Sequence, residues 1–73
     1  MCGIIGIASN KPVSMNIINS LKKLEYRGYD SAGLATLDKD EISEKKCSGR
    51  VEELEKILFK TPSDGHLGIG HVR

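Results

Sequence analysis

The chain has 73 residues, with 11 Lys and Arg against 10 Asp and Glu, for a net charge of +1. A polypeptide this short buries only roughly 60% of the surface its unfolded form exposes, which admits one small domain. The balanced charge argues against nucleic acid or an anionic membrane as a partner, and 4% aromatic content with no Trp leaves no stacking platform for bases.

The first predicted element is the apolar run Gly3-Ile4-Ile5-Gly6-Ile7-Ala8, bounded by Ser9-Asn10-Lys11-Pro12. Its length and flanks predict a buried strand, with Gly6 a place of close backbone approach. It is far shorter than the ~20 residues of a membrane span. No basic segment precedes it, as a signal peptide would require. Cys2 stands where N-myristoylation requires a glycine.

A helix is expected next, with Ser14 as its cap. Ile17, Ile18, Leu21 and Leu24 fall on one face, and Asn16, Asn19, Lys22 and Lys23 on the other. Gly28 is the expected stop. Arg27-Gly28-Tyr29-Asp30-Ser31-Ala32-Gly33 reads as a loop. Residues 32–37 predict a strand, Asp38-Lys39-Asp40 a turn, and residues 41–46 the second arm of a hairpin. Ser48-Gly49 opens a second helix with Glu52 and Glu53 near its positive end. Val51, Leu54, Ile57 and Leu58 form its apolar stripe, and Thr61-Pro62-Ser63-Asp64-Gly65 ends it. Leu67-Gly68-Ile69-Gly70-His71-Val72-Arg73 predicts a last strand. The order is β-α-β-β-α-β, and the two one-sided helices suit packing on a sheet. A domain ending on a strand with no turn or tail after it is expected to continue beyond.

Cys2 and Cys47 are the two cysteines. With no export signal they fit a reducing cytosol and free thiols rather than a disulfide framework. Cys2 carries the sharpest chemical possibility. Removal of Met1 before a small second residue would make Cys2 the N-terminus. An α-amine ordinarily titrates near pH ~8, so it is partly neutral at physiological pH and could take the proton from its own thiol. A strand that starts at once after Cys2 would hold that nucleophile in register. The competing reading is a small residue at position 2 by chance.

His66 and His71 could join Cys2 and Cys47 as metal ligands, but no CxxC or HxxxH spacing supports a metal. Gly65, Gly68 and Gly70 fit no phosphate-binding pattern. Cys47, among charges, reads as a bystander thiol, and the Tyr26/Tyr29 pair as packing. Arg27 and Arg73 each lie where a regular element meets a loop, a place from which an arginine can hold a carboxylate bidentately. For either alone, a solvated charge is the simpler reading.

Taken together, these segments resemble one family. Met1-Cys2-Gly3-Ile4-Ile5-Gly6 resembles the start of the class II glutamine amidotransferases, the N-terminal-nucleophile (Ntn) glutaminases. Leu24-Glu25-Tyr26-Arg27-Gly28-Tyr29-Asp30-Ser31-Ala32-Gly33 is similar to the form in the branch that aminates a sugar phosphate. The amidophosphoribosyltransferase branch usually has Gln-Asp where this chain has Tyr29-Asp30. Ser48-Gly49-Arg50-Val51 is similar to a Gly-Lys-Val segment of the sugar-phosphate branch, with Arg50 for Lys. Gly68-Ile69-Gly70-His71-Val72-Arg73 resembles its strand ending His-Thr-Arg. Val72 departs from that Thr and removes a hydroxyl beside Arg73.

The resemblance implies an α+β fold, the αββα sandwich of the Ntn hydrolases. Residues 1–73 would form its first β-α-β-β-α-β portion, and the isomerase domains would be absent. It implies Cys2 as the catalytic thiol that attacks the glutamine side-chain amide. It implies Arg73 as the ligand of the glutamine α-carboxylate, and Arg27 and Gly28 as the substrate-binding loop. No metal and no organic cofactor are implied. Glutamine is the implied substrate; fructose 6-phosphate would enter only through the isomerase half, in a cytoplasmic homo-oligomer. The family's Trp-Ala-Thr-His-Gly run, its Asn-Gly oxyanion pair and its amine-binding Asp would all follow Arg73. Removing one oxyanion donor costs about a hundredfold or more in rate, so residues 1–73 alone are expected to show no appreciable glutaminase activity. The alternatives are a non-enzymatic remnant of a split gene, a fragment that complements a partner chain, and the amidophosphoribosyltransferase branch.

Overall fold

A computed structural model describes residues 2–73, and for Arg27 the main chain alone. Its elements are β1 Gly3–Ala8, α1 Ser14–Leu24, a 3-10 turn Glu25–Arg27, β2 Ser31–Asp38, β3 Glu41–Ser48, α2 Val51–Lys60 and β4 Leu67–Val72. The expected element order is therefore observed, but β1 is a half-exposed edge strand rather than a buried one, and a Cβ at Gly6 would meet nothing closer than 3.9 Å, so no close approach requires that glycine. The hairpin strands run longer than expected, because pairing holds from Asp38↔Glu41 to Ser31↔Ser48. Between them Lys39 and Asp40 both adopt positive φ (49° and 69°), the twist-matched geometry of a two-residue hairpin loop.

The sheet order is β1-β4-β2-β3, antiparallel throughout. Each helix thus joins two parallel strands with another strand inserted between them: β4 separates β1 from β2, and β2 separates β3 from β4. Both helices lie on one face. Val13, Ile17, Ile18 and Leu21 from the α1 region and Val51, Leu54 and Leu58 from α2 are buried against Ala32, Leu34 and Val72. Ile5, Ile7 and Cys47 pack at the margin of that core. Close contact between α1 and β4 depends on glycine: a Cβ on Gly68 would come within 2.8 Å of Ile17 Cδ1. The opposite face carries Ile4, Ile42 and Ile69, which are 84%, 75% and 65% exposed.

Three helix-end expectations are corrected. Ser14 does not cap α1; it is the first helical residue, and Val13 occupies the cap position with no side-chain hydrogen bond. Ser48 does not open α2 but ends β3, with Gly49 turning at φ +92° and Arg50 as the cap residue. Helix α1 stops at Leu24, and the 3-10 turn carries the chain to Gly28, whose φ of +120° suits glycine. Leu24 is half-buried and Ile57 only partly covered, so both stripes are narrower than their sequences suggest.

Candidate active site

The antiparallel register decides which sequence segments meet. Gly3 pairs with Val72, Val72 with Ala32, and Ala32 with Cys47, forming one row across all four strands. Cys2 and Arg73 are the residues immediately outside the Gly3↔Val72 pair. The chain start and the last arginine, far apart in sequence, therefore lie at the same end of the sheet. The Arg73 main chain is fixed there, since its N–H donates to the Ser31 carbonyl at 2.9 Å. Cys2 is exposed and its thiol is free.

The loop that leads into β2 reaches the same end. Gly28 N–H donates to the Glu25 carbonyl at 2.9 Å, closing the turn. Gly49 N–H donates to the Asp30 carbonyl at 2.7 Å, tying the loop to the segment after β3. Of the expected site residues, Cys2 and Arg73 are thus brought to one end of one sheet, whereas Gly28 lies in the loop before β2 and faces a separate pocket with Lys22, Glu25, Tyr29 and Arg50. The Arg27 side chain lies outside the described residues, as does Met1, whose removal the proposed nucleophile requires.

Two residues at this end escaped the sequence reading of chemistry. The first is Glu25, whose Oε2 accepts a hydrogen bond from Val51 N–H at 2.7 Å. It supplies across space the cap that Arg50 does not supply locally, as Arg50 makes no side-chain cap bond. The second is Arg50, whose guanidinium sits 4.8 Å from the Tyr29 ring centroid. Tyr29 therefore has a charged partner rather than simply packing. Neither contact has a local sequence signal, because the partners are 21 or more positions apart.

On the open face, His71 pairs across Gly33 toward Lys46. Gly33 leaves room for that ring: a Cβ would lie 2.6 Å from His71 Nε2, so the imidazole would have to turn away, and 3.3 Å from the Lys45 carbonyl. A groove of about 460 Å³ is lined by Ser31, Ala32, Lys46, Cys47, Ser48 and His71. Cys47 belongs to the helix side, where burial, its largest influence, pushes the thiol above its ordinary pKa, and the Glu53 charge adds to the rise. The departure at Val72 falls in the core, with that side chain 3% exposed. A hydroxyl there would need a buried partner, so Val suits the site.

Among the described residues, no group of three or more His, Cys, Asp or Glu side chains could hold a metal ion. Nor is any of their helices long and apolar enough to cross a membrane.

Fold and site define the class as an α+β sheet-and-helix layer with a cysteine at the outer end of an edge strand and an arginine beside it on the neighbouring strand. Comparison with known proteins narrows this. Over all 73 residues the chain is about half identical to the N-terminal region of glutamine–fructose-6-phosphate aminotransferase (isomerizing) enzymes. Identity is 51% to one from Bradyrhizobium diazoefficiens, 49% to one from Brucella suis and 48% to one from Rhizobium meliloti, with the whole of this chain aligned in each case. The chain spans 12% of the length of each of these relatives. No protein-family model matches.

Proposed function

We propose that these residues are the opening part of the glutaminase domain of a class II glutamine amidotransferase with the Ntn αββα fold. The specific enzyme we propose is a glutamine–fructose-6-phosphate aminotransferase. The observation that carries the reading is the juxtaposition of Cys2 and Arg73 at one sheet end in a chain collinear with those enzymes throughout. The exposed apolar face opposite the helices supports the sandwich, since it is the face a second sheet would cover.

The chemistry follows once removal of Met1 makes Cys2 the N-terminal residue. The neutral α-amine of Cys2 takes the proton from its own Sγ. The thiolate attacks the side-chain amide carbon of glutamine, forming a C–S bond and a tetrahedral oxyanion. That intermediate collapses with cleavage of the C–N bond. The protonated amine returns its proton to the leaving nitrogen, and ammonia departs. Water then hydrolyses the glutamyl thioester, releasing glutamate and regenerating the thiol. Arg73 holds the substrate α-carboxylate, and the 27–28 loop shapes the pocket wall. In the longer enzyme, fructose 6-phosphate receives the ammonia.

The test is a graft. Residues 1–73 replace the aligned residues of the Bradyrhizobium relative, and the purified hybrid is assayed for glutamate release and for N-terminal mass. Expected is glutaminase activity, loss of Met1, and no activity in Cys2→Ala. Full activity in hybrid that retains Met1, or in Cys2→Ala, overturns the mechanism.

A further inference from the structure

We propose that Glu25 is a positioning residue for glutamine binding, acting through the N-terminus of α2 on the loop that carries Arg27 and Gly28. This rests on the glutaminase reading and adds a role that neither the chemistry above nor the resemblance assigns to this side chain.

The loop between α1 and β2 has no ladder of its own until Ser31. Its conformation must be imposed by what it touches. The 49–51 segment, leading into α2, touches it three times. Val51 N–H donates to Glu25 Oε2 at 2.7 Å at the start of the loop. Gly49 N–H donates to the Asp30 carbonyl at 2.7 Å at its end. Between them, the Arg50 guanidinium sits against Tyr29. Of the three, the Glu25 bond joins a side chain to an otherwise uncapped helix end, where a carboxylate also meets the positive end of the helix dipole. It is partly buried, so solvent screens it less than a surface contact. The effect then passes to the substrate arginine, since Asp30 is followed by Ser31, whose carbonyl holds Arg73 N–H. Glu25 is thus connected by consecutive contacts to both elements assigned to glutamine binding, while it lies outside the Cys2 chemistry.

The grafted hybrid tests this with Glu25→Ala, Glu25→Gln and Arg50→Ala. Glu25→Ala raises KM for glutamine by a factor of about two to thirty, the upper end being reached if the whole contribution of a helix cap is felt in binding, with kcat changed less than about twofold. Glu25→Gln keeps an acceptor oxygen at the same reach and restores most of the loss. Arg50→Ala, which leaves the Glu25 cap intact, shifts KM in the same direction by a smaller factor. Labelling of Cys2 gives a second readout: a diazoketone analogue of glutamine reacts more slowly in Glu25→Ala, while iodoacetamide reacts at the unchanged rate. Unchanged KM in Glu25→Ala, an equal fall in kcat, or equal slowing of both reagents overturns the proposal. So does a Glu25→Gln variant as impaired as Glu25→Ala. If Glu25→Ala does not fold, Glu25→Asp, whose shorter side chain draws the carboxylate back from Val51 N–H, takes its place: a raised KM with kcat kept supports the proposal, and an unchanged KM or an equal fall in kcat overturns it. Failure of the underlying reading looks different, because the unsubstituted hybrid itself would then lack activity dependent on Cys2.

Discussion

Cys2 and Cys47 carry the same thiol into opposite surroundings. Cys2 is exposed at the outer end of β1, whereas Cys47 is partly buried on the helix side of β3. Burial raises the Cys47 pKa, so its thiolate is scarcer at neutral pH than that of an ordinary cysteine. Iodoacetamide at about neutral pH is therefore expected to label Cys2 ahead of Cys47, with the gap narrowing as pH rises and Cys47 ionises. Peptide mass spectrometry over a pH series checks this; equal labelling at neutral pH contradicts it. The same shift has a stability consequence. A thiol whose pKa is raised on folding contributes fully below its unfolded pKa of ~8.5 and loses that contribution as pH rises through the folded value. Gly33 offers a steric counterpart: Gly33→Ala drives a Cβ to 2.6 Å from His71 Nε2 and 3.3 Å from the Lys45 carbonyl. The expected loss is about 1–3 kcal/mol, read from the urea midpoint of the hybrid. Cys2 was legible in the sequence because position alone marks it. The close approach at Gly33 was not, since His71 reaches it only through the β2–β4 register.

Elements were legible where their signal is local. The apolar stripes of α1 and α2 follow from spacing, and each buries the face that spacing indicates. Leu54 and Phe59 make the point testable, since both are large and apolar and both sit in α2, yet one is fully buried and the other 76% exposed. Leu54→Ala is expected to cost about 2–5 kcal/mol, and Phe59→Ala about 0.5 kcal/mol or less. Equal costs in urea titrations would mean that α2 presents a different face to the sheet. The helix ends were less legible. Ser14 has the right chemistry for a cap, but the chain places Val13 at the cap position and receives Val13 N–H on the Gly65 carbonyl instead. For α2 the cap comes from Glu25, on another element. Strand order lay beyond local reading altogether, because β4 pairs with β1 and β2, whose residues are far earlier in the chain.

At the scale of the described layer, β4 joins β1 to the β2–β3 hairpin. Until β4 enters between β1 and β2, β1 has no partner, so folding waits on contacts of long sequence separation. The four-stranded layer leaves Ile4, Ile42 and Ile69 in water on the face away from the helices. The two edges of that layer differ. β3 carries Glu41, Glu44, Lys45 and Lys46, charges that discourage further pairing, while β1 is uncharged. An apolar face beside an uncharged edge makes self-association of the 73-residue chain the expected outcome in isolation. A charge placed in the middle of that face separates this from the proposed sandwich. Ile69→Lys is expected to shift the isolated chain toward monomer in sedimentation velocity, because it only removes exposed apolar surface. In the grafted hybrid the same substitution buries an unpaired ammonium between two sheets, and is expected to lower stability by about 3 kcal/mol or more. Less association of the isolated chain together with lost stability of the hybrid supports a second sheet over β4. A hybrid that tolerates Ile69→Lys without loss of stability would mean that this face stays in water, and that the αββα reading is wrong at its central layer.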